Sequence, residues 1–226
     1  MVRIKAGAFL RGSAAGKGLK DAQPQRWIHL DAFDLDVNEV TVAQYSQCVK
    51  ARRCAPAKCM KTSQKLETRP SHPVVCVTWF QARDFCRHLG KRLPTEAEWE
   101  KAARGAKGLE YPWGNQKPSC QLANYRGCQK PDSSMPVGRL PKGASPYGVL
   151  DMAGNVHEWV ADWHSGSYYA TGPTRNPIGP SKGTDKVVRG GSFVYGADEL
   201  NTHGRTFIEP IKNTADVGIR CARSTR

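Results

Sequence analysis

The chain has 226 residues, 39% of them hydrophobic, and 34 Lys and Arg against 20 Asp and Glu give it a net charge of +14. Its 22 glycines and 15 prolines are spread along the sequence and form no linker, so one compact, loop-rich domain over residues 1–226 is expected. No run approaches the roughly 18 apolar residues of a membrane-spanning helix, and Met1-Val2-Arg3-Ile4 opens no secretory leader, a segment that processing could equally have removed. The basic excess favours encounters with anionic surfaces. It is scattered, however, and is densest at Lys50, Arg52, Arg53, Lys58 and Lys61; no zinc-finger spacing or basic–aromatic helix marks a specific nucleic-acid site.

Taken in chain order, the first element is a strand from Trp27 to Phe33, where apolar and polar residues alternate. Three helices follow, each announced by a Thr that can cap the first turn and a Gln or Glu three residues later that can reach back to it. They start at Thr41 with Gln44, Thr78 with Gln81, and Thr95 with Glu98, and Gly90 and Gly105 supply stops for the second and third. Between the first two helices, Pro73 to Val77 reads as a brief buried strand. From Gly105 to Val187 the sequence is rich in Gly, Pro, Asn and Ser interleaved with aromatics, and such a stretch needs internal ties to hold one conformation. Short strands are expected again at Val187-Val188 and at Val217 to Cys221.

The eight cysteines are the first candidates for those ties. Their number is even and high for a reducing compartment, and no C-x-x-C pair supports a zinc site, so disulfides and an oxidising location (periplasm, cell surface or secretion) are expected. Cys120 and Cys128 suit a local staple. Cys48, Cys54, Cys59 and Cys76 can pair in three ways, of which Cys48–Cys54 and Cys59–Cys76 are favoured.

Six segments then carry a resemblance: Asn38-Glu39-Val40-Thr41, Arg92-Leu93-Pro94-Thr95-Glu96-Ala97-Glu98-Trp99-Glu100, Tyr111-Pro112-Trp113-Gly114-Asn115, Asp151 to Trp159 (DMAGNVHEW), Arg189-Gly190-Gly191-Ser192-Phe193 and Gly218-Ile219-Arg220-Cys221. In order and spacing they resemble the formylglycine-generating enzyme, or sulfatase-modifying factor, family along essentially the whole chain. The resemblance implies an irregular α+β fold related to C-type lectins, with short helices and short antiparallel strands, and often with calcium. It also implies a Cys86–Cys221 bridge.

In the enzymes of that family two cysteines shortly after the RGGS turn bind copper(I), a soft ion that wants thiolates. Here those positions fall on Tyr195 and Leu200, and no cysteine occurs from Gln129 to Arg220, so copper is not expected. What remains resembles the family's non-catalytic members. The expected function is therefore a calcium- and disulfide-stabilised binding module of a larger extracytoplasmic bacterial protein, with a protein or glycan ligand, anionic if the surface charge is used. The alternative is an oxidoreductase of the same family with altered chemistry.

By the same resemblance the calcium loop runs from Asp151 to Glu158, with the carbonyls of Gly154 and Val156 between two hard carboxylates, a donor set that suits calcium. In the alternative reading these carboxylates simply accept hydrogen bonds in a tight turn. A second family site would use Asn124, the Tyr125 carbonyl and Asp132, or have given way to a Cys120–Cys128 disulfide. The tryptophans Trp79, Trp99, Trp113, Trp159 and Trp163 read as core before sugar platform. Arg189, Arg205 and Arg220 read first as partners of buried carboxylates. Tyr195, Asp198, Glu199, Asn201, His203 and Arg205, in the stretch that replaces the copper site, are the candidate ligand surface.

Overall fold

The structure, a computed structural model, describes residues 1–59 and 69–225, so Lys61 of the basic run lies outside the described residues. Helices α1 (Val42–Lys50), α2 (Trp79–His88) and α3 (Glu96–Arg104) all begin with reciprocal capping boxes. In each, the threonine hydroxyl accepts from the third backbone N–H while Gln44, Gln81 or Glu98 returns to the threonine N–H, satisfying two donors the helix itself leaves open. Past α2 and α3, Gly90 and Gly105 sit at φ 66° and 69°, where a side chain would be strained.

The strands are more numerous than expected: β1 (Val2–Ile4), β2 (Gly7–Arg11), β3 (Arg26–Leu30), β4 (Phe33–Leu35), β5 (His157–Trp163), β6 (Lys186–Arg189), β7 (Thr206–Ile208), β8 (Val217–Gly218) and β9 (Ala222–Ser224). β1, β4 and β9 form one antiparallel sheet, β2 and β3 a hairpin, and β7-β6-β5-β8 a third sheet in which β8 runs parallel to β5. A short helix, α4 (Tyr168–Thr171), lies in the connection between β5 and β6.

Three strand expectations need correction. The run Trp27 to Phe33 is divided between β3 and β4, which belong to different sheets. Pro73 to Val77 is buried but forms no strand: Val74 and Cys76 donate to the Val40 and Thr214 carbonyls, and Cys76 turns to φ 62°. Conversely, β5 emerges inside the stretch read as irregular. Its first four residues are all buried, so burial on both faces erases the alternation that marks a half-exposed strand.

Two apolar clusters meet along β5 and β6. One packs Phe9, Ile28 and Phe33 of the N-terminal strands on Trp99 of α3, Val160 and Val187; the other packs Tyr45 of α1 and Phe85 of α2 on Trp159, Val188 and Ile219. Four disulfides join Cys48–Cys54, Cys59–Cys76, Cys86–Cys221 and Cys120–Cys128, which uses every cysteine of the chain. Cys86–Cys221 fastens α2 to the C-terminal segment inside the second cluster.

Candidate functional site

The residues that replace a copper pair follow β6, whose last residue, Arg189, leads into the turn Gly190-Gly191-Ser192. Both glycines are required by close approach as well as by φ values of 100° and 73°. A Cβ on Gly191 would sit 2.9 Å from the Glu199 carbonyl oxygen, and one on Gly190 3.2 Å from the Trp99 ring. The turn thereby brings the short 3₁₀ turn Ala197–Leu200 back against Gly191.

Ser192 is fully buried and anchors this surface. Its Oγ donates to Asp216 Oδ2 at 3.0 Å and accepts from Val194 N at 3.2 Å. The Tyr195 ring then stands edge-on to His157 at the head of β5, centroids 5.4 Å apart. Burial lowers the His157 pKa, although Asp216 opposes the shift, so this imidazole is neutral at neutral pH; its Nδ1 has no hydrogen-bond partner among the described residues. From the other side, Arg126 donates through its backbone to the Tyr195 carbonyl at 2.9 Å and through Nε to the Val194 carbonyl at 2.7 Å. Arg126 belongs to the loop closed by Cys120–Cys128, so that disulfide braces the candidate surface directly.

The six ligand-surface candidates separate into two groups. Tyr195, Asp198 and Glu199 are exposed, together with the neighbouring Val194. Asn201 is turned back on its own loop, donating to the Asp198 carbonyl at 3.0 Å. His203 is buried, with Nε2 3.3 Å from Glu110, and burial lowers its pKa against the pull of Glu110. Arg205 is corrected outright as a surface residue: it is 3% exposed and grips both oxygens of Glu96 at 2.7 and 3.0 Å. Position Leu200 is likewise core, packed with Ala123 and Ala153.

Arg205 is one arm of a buried network. Glu100 accepts from Gly12 N, Arg104, Tyr169 and Arg189, and Arg189 also reaches Glu96 and the Thr202 carbonyl. Burial alone would raise the Glu100 pKa; Arg189, Arg104 and the neutral donors outweigh it and bring the value down to about 2. Trp99 and Trp159 are fully buried, as core tryptophans should be. Trp79 and Trp163 are half-buried around Lys186, whose Nζ lies 4.0 and 3.8 Å from their ring centroids, and Trp113 stacks on Tyr111.

Around the expected calcium loop, Asp151 and Asn155 both adopt positive φ, a conformation these residue types tolerate. Glu158 is the anion of a buried ion pair: Arg220 binds both its oxygens, and Trp99 Nε1 donates to Oε2 at 2.7 Å. It is therefore not an open ligand opposite Asp151, whose Oδ2 accepts from Gly138 N. Asp132 caps Gly127 N within its own turn and the Tyr125 carbonyl accepts from Cys128 N. Among the described residues no group of three or more His, Cys, Asp or Glu is arranged to hold a metal. Two features nevertheless suit a cation. Glu39, Asp151 and Glu158 together face one guanidinium, Arg220, and burial followed by the Asp151 and Glu158 charges pushes the Glu39 pKa well up. Asn124 Oδ1 is buried without a donor among the described residues. The fit is thus partial in both expected sites: Asp151 and the carbonyls of Gly154 and Val156 remain in the first without Glu158, and Asn124 Oδ1 remains in the second.

His157, Asp216 and Arg126 belong to this surface although sequence reasoning does not single them out. His157 lies inside the DMAGNVHEW motif, but nothing in sequence brings Asp216 or Arg126 to Ser192 and Tyr195.

The chain is thus an irregular α+β domain with capped helices, an RGG turn locked on α3 and a GIRC arginine locked on the β5 glutamate. It belongs to the sulfatase-modifying factor family: the model described as "Sulfatase-modifying factor enzyme 1-like domain" matches residues 1–225. It is 36% identical over 244 residues to the serine/threonine-protein kinase pkn1 of Chlamydia caviae, covering 100% of this chain and 38% of the kinase. The chain thus spans well under half of that relative. It is 32% identical over 278 residues to the formylglycine-generating enzyme of Streptomyces coelicolor, covering 98% of this chain and 88% of the enzyme. Among solved structures, PvdO from Pseudomonas aeruginosa superposes with a TM-score of 0.82 at 25% identity, covering 99% of this chain and 93% of that one. Treponema denticola variable protein 1 gives a TM-score of 0.82 at 24% identity, covering 100% and 95%, and so shares the fold.

Proposed function

We propose that this chain is a non-catalytic binding module of a larger extracytoplasmic bacterial protein, presenting the Val194–Glu199 surface to a protein or glycan ligand. The observation that carries this reading is the fate of the two copper positions. Tyr195 points to solvent, Leu200 is a core residue, and all eight cysteines are tied in disulfides, so no thiolate pair is available to a soft copper ion. The disulfides themselves are bonds of an oxidising compartment, which supports periplasmic, surface or secreted exposure. No helix among the described residues is long and apolar enough to cross a membrane. The match to part of the longer Chlamydia kinases supports a place in a larger polypeptide.

Calcium is part of the proposal as a structural ion. Bound beside Asp151 it would neutralise the acid surplus around Arg220, and at the second expected site it would fill the open Asn124 oxygen. The melting temperature should fall on addition of EDTA and recover with calcium; no response removes the ion from the reading.

The second reading is an oxidoreductase with altered chemistry, favoured by the buried His157 and Ser192 with the half-buried Asp216 beside an exposed Tyr195. Copper(I) titration and oxygen consumption with a cysteine-containing peptide decide between them. The module predicts neither tight copper binding nor turnover, and stoichiometric copper or iron with turnover would replace it by the enzyme.

A further inference from the structure

A groove of about 680 Å³, which shares no residue with the Val194–Glu199 surface, lies between α2 and the Asn176-Pro177-Ile178 segment that precedes β6. Trp79, Arg83 and Arg87 recur every fourth residue, so α2 turns one face to it. The charged side chains that line the groove, Asp31, Arg83, Arg87, Arg92 and Glu98, divide by what the fold has already paired. Both acids are answered. Glu98 takes the two terminal nitrogens of Arg92 at 2.6 and 2.7 Å and the Thr95 N–H, and Asp31 accepts from Arg175 and Asn176, each at 2.8 Å.

The cations on α2 are not. Arg87 is exposed and has neither hydrogen bond nor ion pair among the described residues, and Arg83 has only its neighbour Asp84, an exposed pair of the kind that contributes little. Two accessible guanidinium groups on one helix face are thus left for an anion from outside. The apolar lining narrows what carries that anion. Ile178, at 71%, is the most exposed large apolar side chain among the described residues, and it lines the groove with the half-buried Ala32 and Ala161. An aliphatic surface beside unpaired cations suits aliphatic groups next to carboxylates.

Sugar rings are gripped by free aromatic faces, and the one aromatic among the described lining residues is Trp79. Its Nε1 is tied to the Val160 carbonyl at 2.7 Å, and its ring already carries Lys186 Nζ at 4.0 Å and Arg83 Cζ at 5.4 Å from the centroid. A flat bilayer does not enter a concave groove, whereas an extended peptide does. We propose that this groove docks a segment of a partner protein in which acidic and aliphatic residues adjoin, its carboxylates on Arg83 and Arg87 and its aliphatic side chains against Ile178 and Ala161. The inference does not depend on the Val194–Glu199 surface being a binding face.

The test titrates the whole chain at low salt with a labelled peptide in which Glu and Asp adjoin Leu and Val, and with its counterpart carrying Gln and Asn instead. An oligogalacturonate and vesicles of anionic phospholipid serve as the other anions. The acidic peptide should bind, more weakly as salt rises, and the amide peptide should not. Arg83→Gln combined with Arg87→Gln should weaken binding about tenfold or more, and Ile178→Ser about threefold or more, with the unfolding curve left in place. Removing two exposed charges outside the groove, Lys107→Gln with Lys142→Gln, should weaken it less than about twofold. The proposal is overturned if the acidic peptide does not bind, if the amide peptide binds as well, or if the oligogalacturonate or the vesicles bind more tightly. It is equally overturned if either groove variant keeps full affinity or if the lysine pair matters as much as the arginine pair.

Discussion

The eleven residues from Tyr195 to Arg205 form two regions with opposite duties, although they read alike in sequence. The first half, Tyr195 to Glu199, is solvent-facing and held from beneath by backbone bonds to Ser192 and Arg126. The second half, Leu200 to Arg205, is mostly interior, and its Arg205 charge belongs to the Glu96–Glu100–Arg189 network. What differs is the partner waiting in the fold. Arg205 finds a buried carboxylate and a Tyr169 ring face 4.3 Å from its guanidinium carbon, whereas Asp198 and Glu199 find water. A charged residue in a loop is therefore a candidate for binding only where the fold has not already bound it.

Substitutions should separate the halves sharply. Arg205→Ala leaves Glu96 buried with Arg189 as its remaining charged partner among the described residues, and urea unfolding should show a loss of about 3–5 kcal/mol, the scale for breaking a buried pair. A loss under about 1 kcal/mol, the range of exposed pairs, would mean that Arg205 is not held as described.

The same network should fail in acid. The Glu100 pKa is depressed from an ordinary 4.5 to about 2, so the stability it contributes is complete above about 4.5 and lost as pH falls toward 2. The arithmetic of that shift is on the order of 3 kcal/mol for a fully buried group. Melting curves between about pH 5 and about pH 2 should show Glu100→Gln losing less stability than the parent over the same interval; parallel curves would sink the assignment.

The Cys120–Cys128 bridge tests the exposed half from below. Replacing both cysteines by serine removes a loop constraint worth about 2.5 kcal/mol in the chain-entropy model, and the Arg126 clamp on Val194 and Tyr195 should loosen with it. Hydrogen exchange at the Arg126 and Tyr195 amides should accelerate; unchanged protection would show that the clamp stands without the disulfide. Asp198→Ala and Glu199→Ala should have the smallest effect, within about 0.5 kcal/mol, because both side chains lie at the solvent-exposed surface. If this surface is the binding face, those two variants change ligand affinity and leave the unfolding curve in place.

Local chemistry makes part of this molecule legible in the amino-acid sequence alone. The three helix starts follow from Thr and Gln or Glu at fixed spacing, because a capping box is closed within four residues and needs no tertiary help. The family motifs identify the fold for a related reason: RLPTEAEWE, GNVHEW and RGGS hold the core residues Trp99, Glu158 and Arg189, which lock to one another across the chain. Tertiary structure alone decided the rest. It made β5 a doubly buried strand, gave Glu158 to Arg220, carried Arg205 into the core, and set Asp216 and Arg126 around Ser192 and Tyr195. The pairings involved join residues from 24 to 109 positions apart, and sequence spacing does not encode contacts over such intervals. Where a side chain ends, in solvent or against a buried partner, is a property of the packed fold.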